Sequence, residues 1–209
     1  MGVACCGGET VHESDKRYRK ILWIALGANL VMFFLEIISA WHAGSTSLFA
    51  DAMDFMADSA NYAITLYALA LTAEARSHIA MAKGYTMALY GLVILLTVLL
   101  NPLSAHPPIA SIMGVIALLA LLVNFGVAWL LFHFRSGDSN RHAVWLCTRN
   151  DAIANVAVLL AALGVWLTHS RWPDMVVGLS MGLLGLWSGR KIIIQAKAEL
   201  TLPAISPKA

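Results

Sequence analysis

Six apolar runs account for most of the 209-residue chain, and none shows the period-two alternation of a half-exposed strand. They occupy Ile21–Trp41, Ser47–Leu71, Tyr85–Leu100, Ile109–Phe134, Ala143–Thr168 and Val176–Ile194. A helix rises about 1.5 Å per residue and a bilayer core is about 30 Å thick, so each run spans the core or nearly does. Short stretches carrying Gly, Pro, Ser or charges separate them: 44–46, Thr72–Gly84, Asn101–Pro108, Arg135–His142 and His169–Asp174. Asn101 and Pro102 cut the third run early. With 59% apolar residues, 12% charged and a mean hydropathy of +0.73, the chain has too little polar surface for a soluble globule. The expectation is an all-α membrane protein of six transmembrane helices with no sizeable soluble domain.

Positive charge sets the topology. Of fourteen Lys and Arg, twelve fall on one side: Lys16, Arg17, Arg19 and Lys20; Arg76 and Lys83; Arg135 and Arg141; Arg190, Lys191, Lys197 and Lys208. Only Arg171 sits in an opposite loop, and Arg149 lies within the fifth run. Both termini are therefore expected in the cytoplasm of a multi-pass protein of the inner cell membrane. No apolar signal core precedes Ile21, so the first span is expected to be retained. The division expected is a cytosolic tail over 1–17, a six-helix domain over 18–200 and a second tail over 201–209. A net charge of +2 spread over loops gives no basic stripe for nucleic acid.

The second run contains Asp51, Asp54 and Asp58, and each ionised carboxylate at the bilayer centre costs roughly 2.5–3.5 kcal/mol. At about 100° per residue the three project into one narrow sector, with Asp54 and Asp58 one turn apart. Carboxylates that close repel unless a proton or a cation sits between them. The fifth run carries Cys147, Asp151 and Asn155 at i, i+4 and i+8, on one face, with Arg149 pointing away. Two carboxylates on one helix facing a sulfur and a carboxylate on another make four donors, a set that suits a tetrahedral ion such as zinc better than magnesium or calcium.

The loop Gly44-Ser45-Thr46-Ser47, the stretch SLFADAMDFMAD in the second run, and the Cys147-to-Asp151 unit continuing into Asn155 resemble the cation diffusion facilitators, six-helix metal-proton antiporters. The resemblance runs from Tyr18 to about Leu200. It implies a transport site built from Asp54, Asp58, Cys147 and Asp151, with a divalent metal as cargo and no fixed cofactor. Family members commonly carry His at the position of Cys147, and often at that of Asp54; the sulfur here points to zinc, cadmium or cobalt, while the paired aspartates would also tolerate iron or manganese. The family's cytosolic C-terminal metal-binding domain is expected to be absent.

A mechanism follows from charge. When the ion leaves, uncompensated carboxylates draw in protons, so metal and proton compete for one site and an inward proton gradient drives export. Asp51, Asn155, Glu36 and Asn29 are accessory candidates: Asn29 and Glu36, seven apart on the first run, either line the same cavity or bond helices together, and Asp51 is a candidate relay toward Asp54. Cys147 has a second reading as a small apolar residue. Cys5 and Cys6 belong to a dispensable tail, capture soft metal or carry an acyl chain. Gly178, Gly182, Gly185 and Gly189 allow close helix approach, within one protomer or across a homodimer. Two other functions remain open: a passive cation channel, and an intramembrane aspartyl-type enzyme.

Overall fold

A computed structural model of the chain describes residues 11–67, 73–100, 106–135 and 139–201. Six helices follow in order: α1 Val11–Ala43, α2 Thr46–Tyr67, α3 Ala73–Leu100, α4 Ala110–Phe132, α5 Ser139–Thr168 and α6 Trp172–Thr201. Among the described residues there is no strand. Four segments are long and apolar enough to cross a bilayer: Lys16–Ala43, Ala110–Phe132, Cys147–Thr168 and Trp172–Ala198; α3 adds the shorter apolar stretch Gly84–Leu99. At 22 residues α2 is also long enough, but its three aspartates dilute its hydropathy. The protein is an integral membrane protein, and Cys5 and Cys6 lie outside the described residues.

Helices begin earlier than the sequence reading expects: α1 inside the tail over 1–17, α5 inside Arg135–His142, α6 inside His169–Asp174, and α3 by the widest margin among the loops. The segment from Thr72 to Gly84 reads as a loop because Glu74, Arg76 and Lys83 break the apolar run, yet from Ala73 it is helical. Charged residues are as compatible with helix as apolar ones once the helix leaves the hydrocarbon, so hydropathy marks the bilayer and not the helix end.

The helices pack as a four-helix group and a pair. α1 packs on α2 and α4, α4 on α5, and α2 on α5; α3 lies along α6, and this pair meets the group through α2 and α5. Apolar layers join α1, α2, α4 and α5 through Leu22, Tyr62, Val127 and Leu131 at one end and Ala40, Leu48, Met113 and Val158 at the other. Lipid supplies no hydrophobic force between helices, so close contact must come from shape. The α3–α6 pair obtains it from glycine. A Cβ at Gly91 would lie 2.6 Å from Gly182 O, and one at Gly189 would lie 2.6 Å from Gly84 O, both on backbone that cannot yield. Gly178 abuts Thr46 in the same way. The glycine stripe of α6 is thus occupied inside the protomer.

The α1–α2 turn is built from two helix ends sharing one residue. Gly44, at φ +66°, takes the left-handed position after α1, and Ser45 N–H then donates to Ala40 O at 3.1 Å, closing the helix end as a Schellman turn. Ser45 also caps α2: its Oγ accepts Leu48 N–H at 3.1 Å. The remaining donors go to Asp174, a fully buried carboxylate in the first turn of α6. It accepts from Ser45 Oγ at 2.6 Å, Thr46 N–H at 2.8 Å, Ser47 N–H at 3.0 Å and Ser47 Oγ at 2.6 Å. One negative charge thereby sits at the positive ends of both α2 and α6.

Replacing this carboxylate leaves four buried donors without an acceptor. Asp174→Ala is expected to destabilise the protein by about 2–4 kcal/mol, with Asp174→Asn losing less, because an amide oxygen still accepts. Unfolding midpoints of the purified protein in detergent measure this, and equal midpoints for wild type and Asp174→Ala would show that the clamp carries no stability.

Candidate metal-binding site

Midway along α2 and α5, carboxylates meet across the helix interface. Asp58, buried on α2, and Asp151, half-buried on α5, share a side-chain hydrogen bond, and Asp54 and Cys147 lie within electrostatic reach of Asp151. Asp54 is half-buried, while Cys147 is exposed. Asp151 Oδ2 is buried and accepts no hydrogen bond among the described residues. Two carboxyl groups can share a hydrogen bond only through a proton, and the free oxygen beside them is an acceptor without a donor. The helical phase that brings Asp54 and Asp58 to one face of α2, and Cys147 and Asp151 to one face of α5, thus turns those faces toward each other. Among the described residues no three Cys, His, Asp or Glu side chains stand close enough to hold one ion, so these four could coordinate one only by closing inward.

The wall toward the first turns of α5 is formed by two hydroxyls. The Tyr62 phenol meets Thr148 Oγ1 at 2.6 Å, and Thr148 donates back to Val144 O at 3.1 Å. Tyr62 is within electrostatic reach of Asp58, Asp151 and Cys147. Neither Tyr62 nor Thr148 stands out in the sequence, since a hydroxyl in an apolar run is unremarkable until a partner helix faces it. Arg149 points away from the site, exposed, stacked on Trp145 with its guanidinium 5.3 Å from the ring centroid.

A second polar layer lies about a turn toward the α1–α2 loop. Asn155 Nδ2 donates to Asp51 Oδ1 and Oδ2 at 2.7 and 2.8 Å, and Asn155 Oδ1 accepts from Asn124 Nδ2 at 2.9 Å. Glu36, fully buried on α1, lies against Asp51 and within electrostatic reach of Asp54. No protein donor reaches either Glu36 oxygen among the described residues. Asp51 therefore faces Glu36 and Asn155 at a level apart from the Asp58–Asp151 contact. Asn155, in phase with Cys147 and Asp151, serves this layer and not the lower one. Asn29, although on the Glu36 face and fully buried, turns its amide to Ala25 O at 2.8 Å on its own helix. Asn124 is the member that sequence reading missed; a lone amide in the most apolar span was the available signal.

Residues 22–201 match the family model of the cation efflux transmembrane domain. No curated protein matches the chain.

The amide of Asn155 donates to both oxygens of Asp51, and it bridges α2, α4 and α5. Asn155→Leu is expected to lower stability by about 2–4 kcal/mol, read as the unfolding midpoint in detergent, since it strands a buried carboxylate and the Asn124 amide together. An unchanged midpoint would mean that Asp51 finds another donor.

Proposed function

The chain belongs to the cation efflux family, and on that footing we propose that it exports a divalent metal ion, zinc foremost, in exchange for protons, through a site formed by Asp54, Asp58, Cys147 and Asp151. Members of the family are metal cation transporters and not enzymes, and the metal is cargo, not a fixed cofactor. The aspartyl-enzyme reading is thereby set aside.

The observation that carries the proposal is the contact of Asp58 and Asp151 across α2 and α5, with Asp54 and Cys147 in reach. Carboxylates from two helices meeting in a bilayer have no stable state except with protons or a cation between them. A divalent ion displaces those protons, and its departure restores them, so one site binds either and the exchange needs no second machinery. Three carboxylates and one sulfur form a tetrahedral set of the mixed hardness that zinc, cadmium and cobalt accept. With both termini in the cytoplasm of an inner cell membrane, as the clustered Lys and Arg support, the inward proton gradient drives metal outward. A homodimer would need a surface other than the glycine stripe of α6, which faces α3 and Thr46.

Proteoliposomes holding a metal-sensitive dye give the decisive assay. Zinc uptake is expected to depend on a pH gradient and to fall to background in Asp58→Ala while the protein stays folded. Flux that ignores the gradient would indicate a passive channel, and full uptake by Asp58→Ala would remove the site altogether. Calorimetric titration of Cys147→Ser separates the metals: affinity for zinc and cadmium is expected to drop by at least about tenfold relative to manganese, because a hydroxyl replaces the soft donor. An unchanged order of affinities would exclude Cys147 from the ligand set.

A further inference from the structure

A cavity of about 600 Å³ opens where α1 begins and α4 ends, away from the metal-binding site. Arg17 and Lys20, both exposed and three residues apart on α1, stand on its rim, joined from α4 by His133. Its wall is apolar: Ile21, Leu130 and the ring of Trp129. The polarity of the cavity therefore changes along its depth, from two permanent cations and an imidazole at the helix ends to hydrocarbon a turn further in.

The lipid-facing surface of the same two helices continues that gradient. Ile24, next along the Arg17–Lys20 face, is exposed, and deeper still Gly27 and Gly126 are both exposed, with nothing within 4 Å of where a side chain would stand. Tryptophan at this depth belongs to the headgroup level of a bilayer, and Trp129 is exposed there. Basic clefts between spanning helices at a membrane face hold acidic lipid headgroups, and a Lys or Arg near that face contributes attraction for each negative charge it meets.

We propose that this cavity binds an anionic phospholipid, with its phosphate between Arg17, Lys20 and His133 and its acyl chains lying along α1 and α4. Two cations and a third donor match a headgroup carrying more than one negative charge better than a zwitterionic one. Free phosphate would meet the same cations but leave the apolar wall unused. The lipid would bridge the start of α1 to the end of α4, beside the packing of Tyr18 on Phe134, whose ring centroids are 5.6 Å apart.

The test uses delipidated full-length protein in mixed micelles titrated with diphosphatidylglycerol, phosphatidylcholine or inorganic phosphate, with bound lipid counted by native mass spectrometry and the unfolding temperature followed in parallel. Diphosphatidylglycerol is expected to bind and raise the unfolding temperature, and the other two are not. Removing both cations in R17Q/K20Q is expected to weaken that binding about thirtyfold, and K20Q alone about fivefold should the double variant fold poorly. R190Q/K191Q, which removes the same charge from α6, is expected to bind as wild type. Undiminished binding by R17Q/K20Q and K20Q overturns the proposal, as does an equal loss in R190Q/K191Q, which would mark general surface charge. Competition by inorganic phosphate at matched concentration also overturns it, in favour of a free-anion site.

Discussion

Inside a bilayer a polar group has no water to fall back on, and the fold is arranged around that shortage. Asp174 shows how it is met. The α1–α2 turn creates helix-end donors that neither helix can satisfy, and a carboxylate from the first turn of α6 takes them all. The serines and threonine of the loop and the aspartate of α6 are far apart in sequence but form one object. Their meeting fixes the height of α6 against α2, which is also where Gly178 lets α6 approach Thr46.

The same shortage is left unmet at two levels in the middle of the bundle. Asp58 faces Asp151, and Glu36 faces Asp51, with no Lys or Arg among the partners described for any of them. The upper pair is steadied by the Asn155–Asn124 relay of amides, so it belongs to the framework that joins α1, α2, α4 and α5. The lower pair sits beside an exposed cysteine and near the hydroxyl contact of Tyr62 with Thr148.

The number of helices and the phase of the carboxylates were legible before any coordinates, because apolar length and a 3.6-residue period are local properties. Asp54, Asp58 and Asp151 needed only their helix numbers to be placed on facing surfaces. The first turns of α3 were not legible, since the charges near Arg76 mimic a loop. Asp174 was not legible either: an aspartate after a proline at the start of a span looks like a helix N-terminus, and nothing local says that it serves another helix. Asn155 was read in phase with Asp151 as an accessory candidate, but its partner was not legible, because that depends on how deeply α5 sits against α2.

The Asp174 clamp also bears on how α2 can move. Its first turn is bonded to α6 through several short hydrogen bonds, whereas toward its last turns the hydroxyl contact of Tyr62 with Thr148 is a single polar tie to α5 among those described. A rod fastened firmly at one end and lightly at the other has a fulcrum, and displacement grows with distance from it. Were α2 to tilt about that end, Asp51, close to it, would travel least, and Asp58, two turns further along, would travel more. Such a tilt would make α2 a lever whose short end holds the amide relay and whose long end carries the carboxylate that meets Asp151.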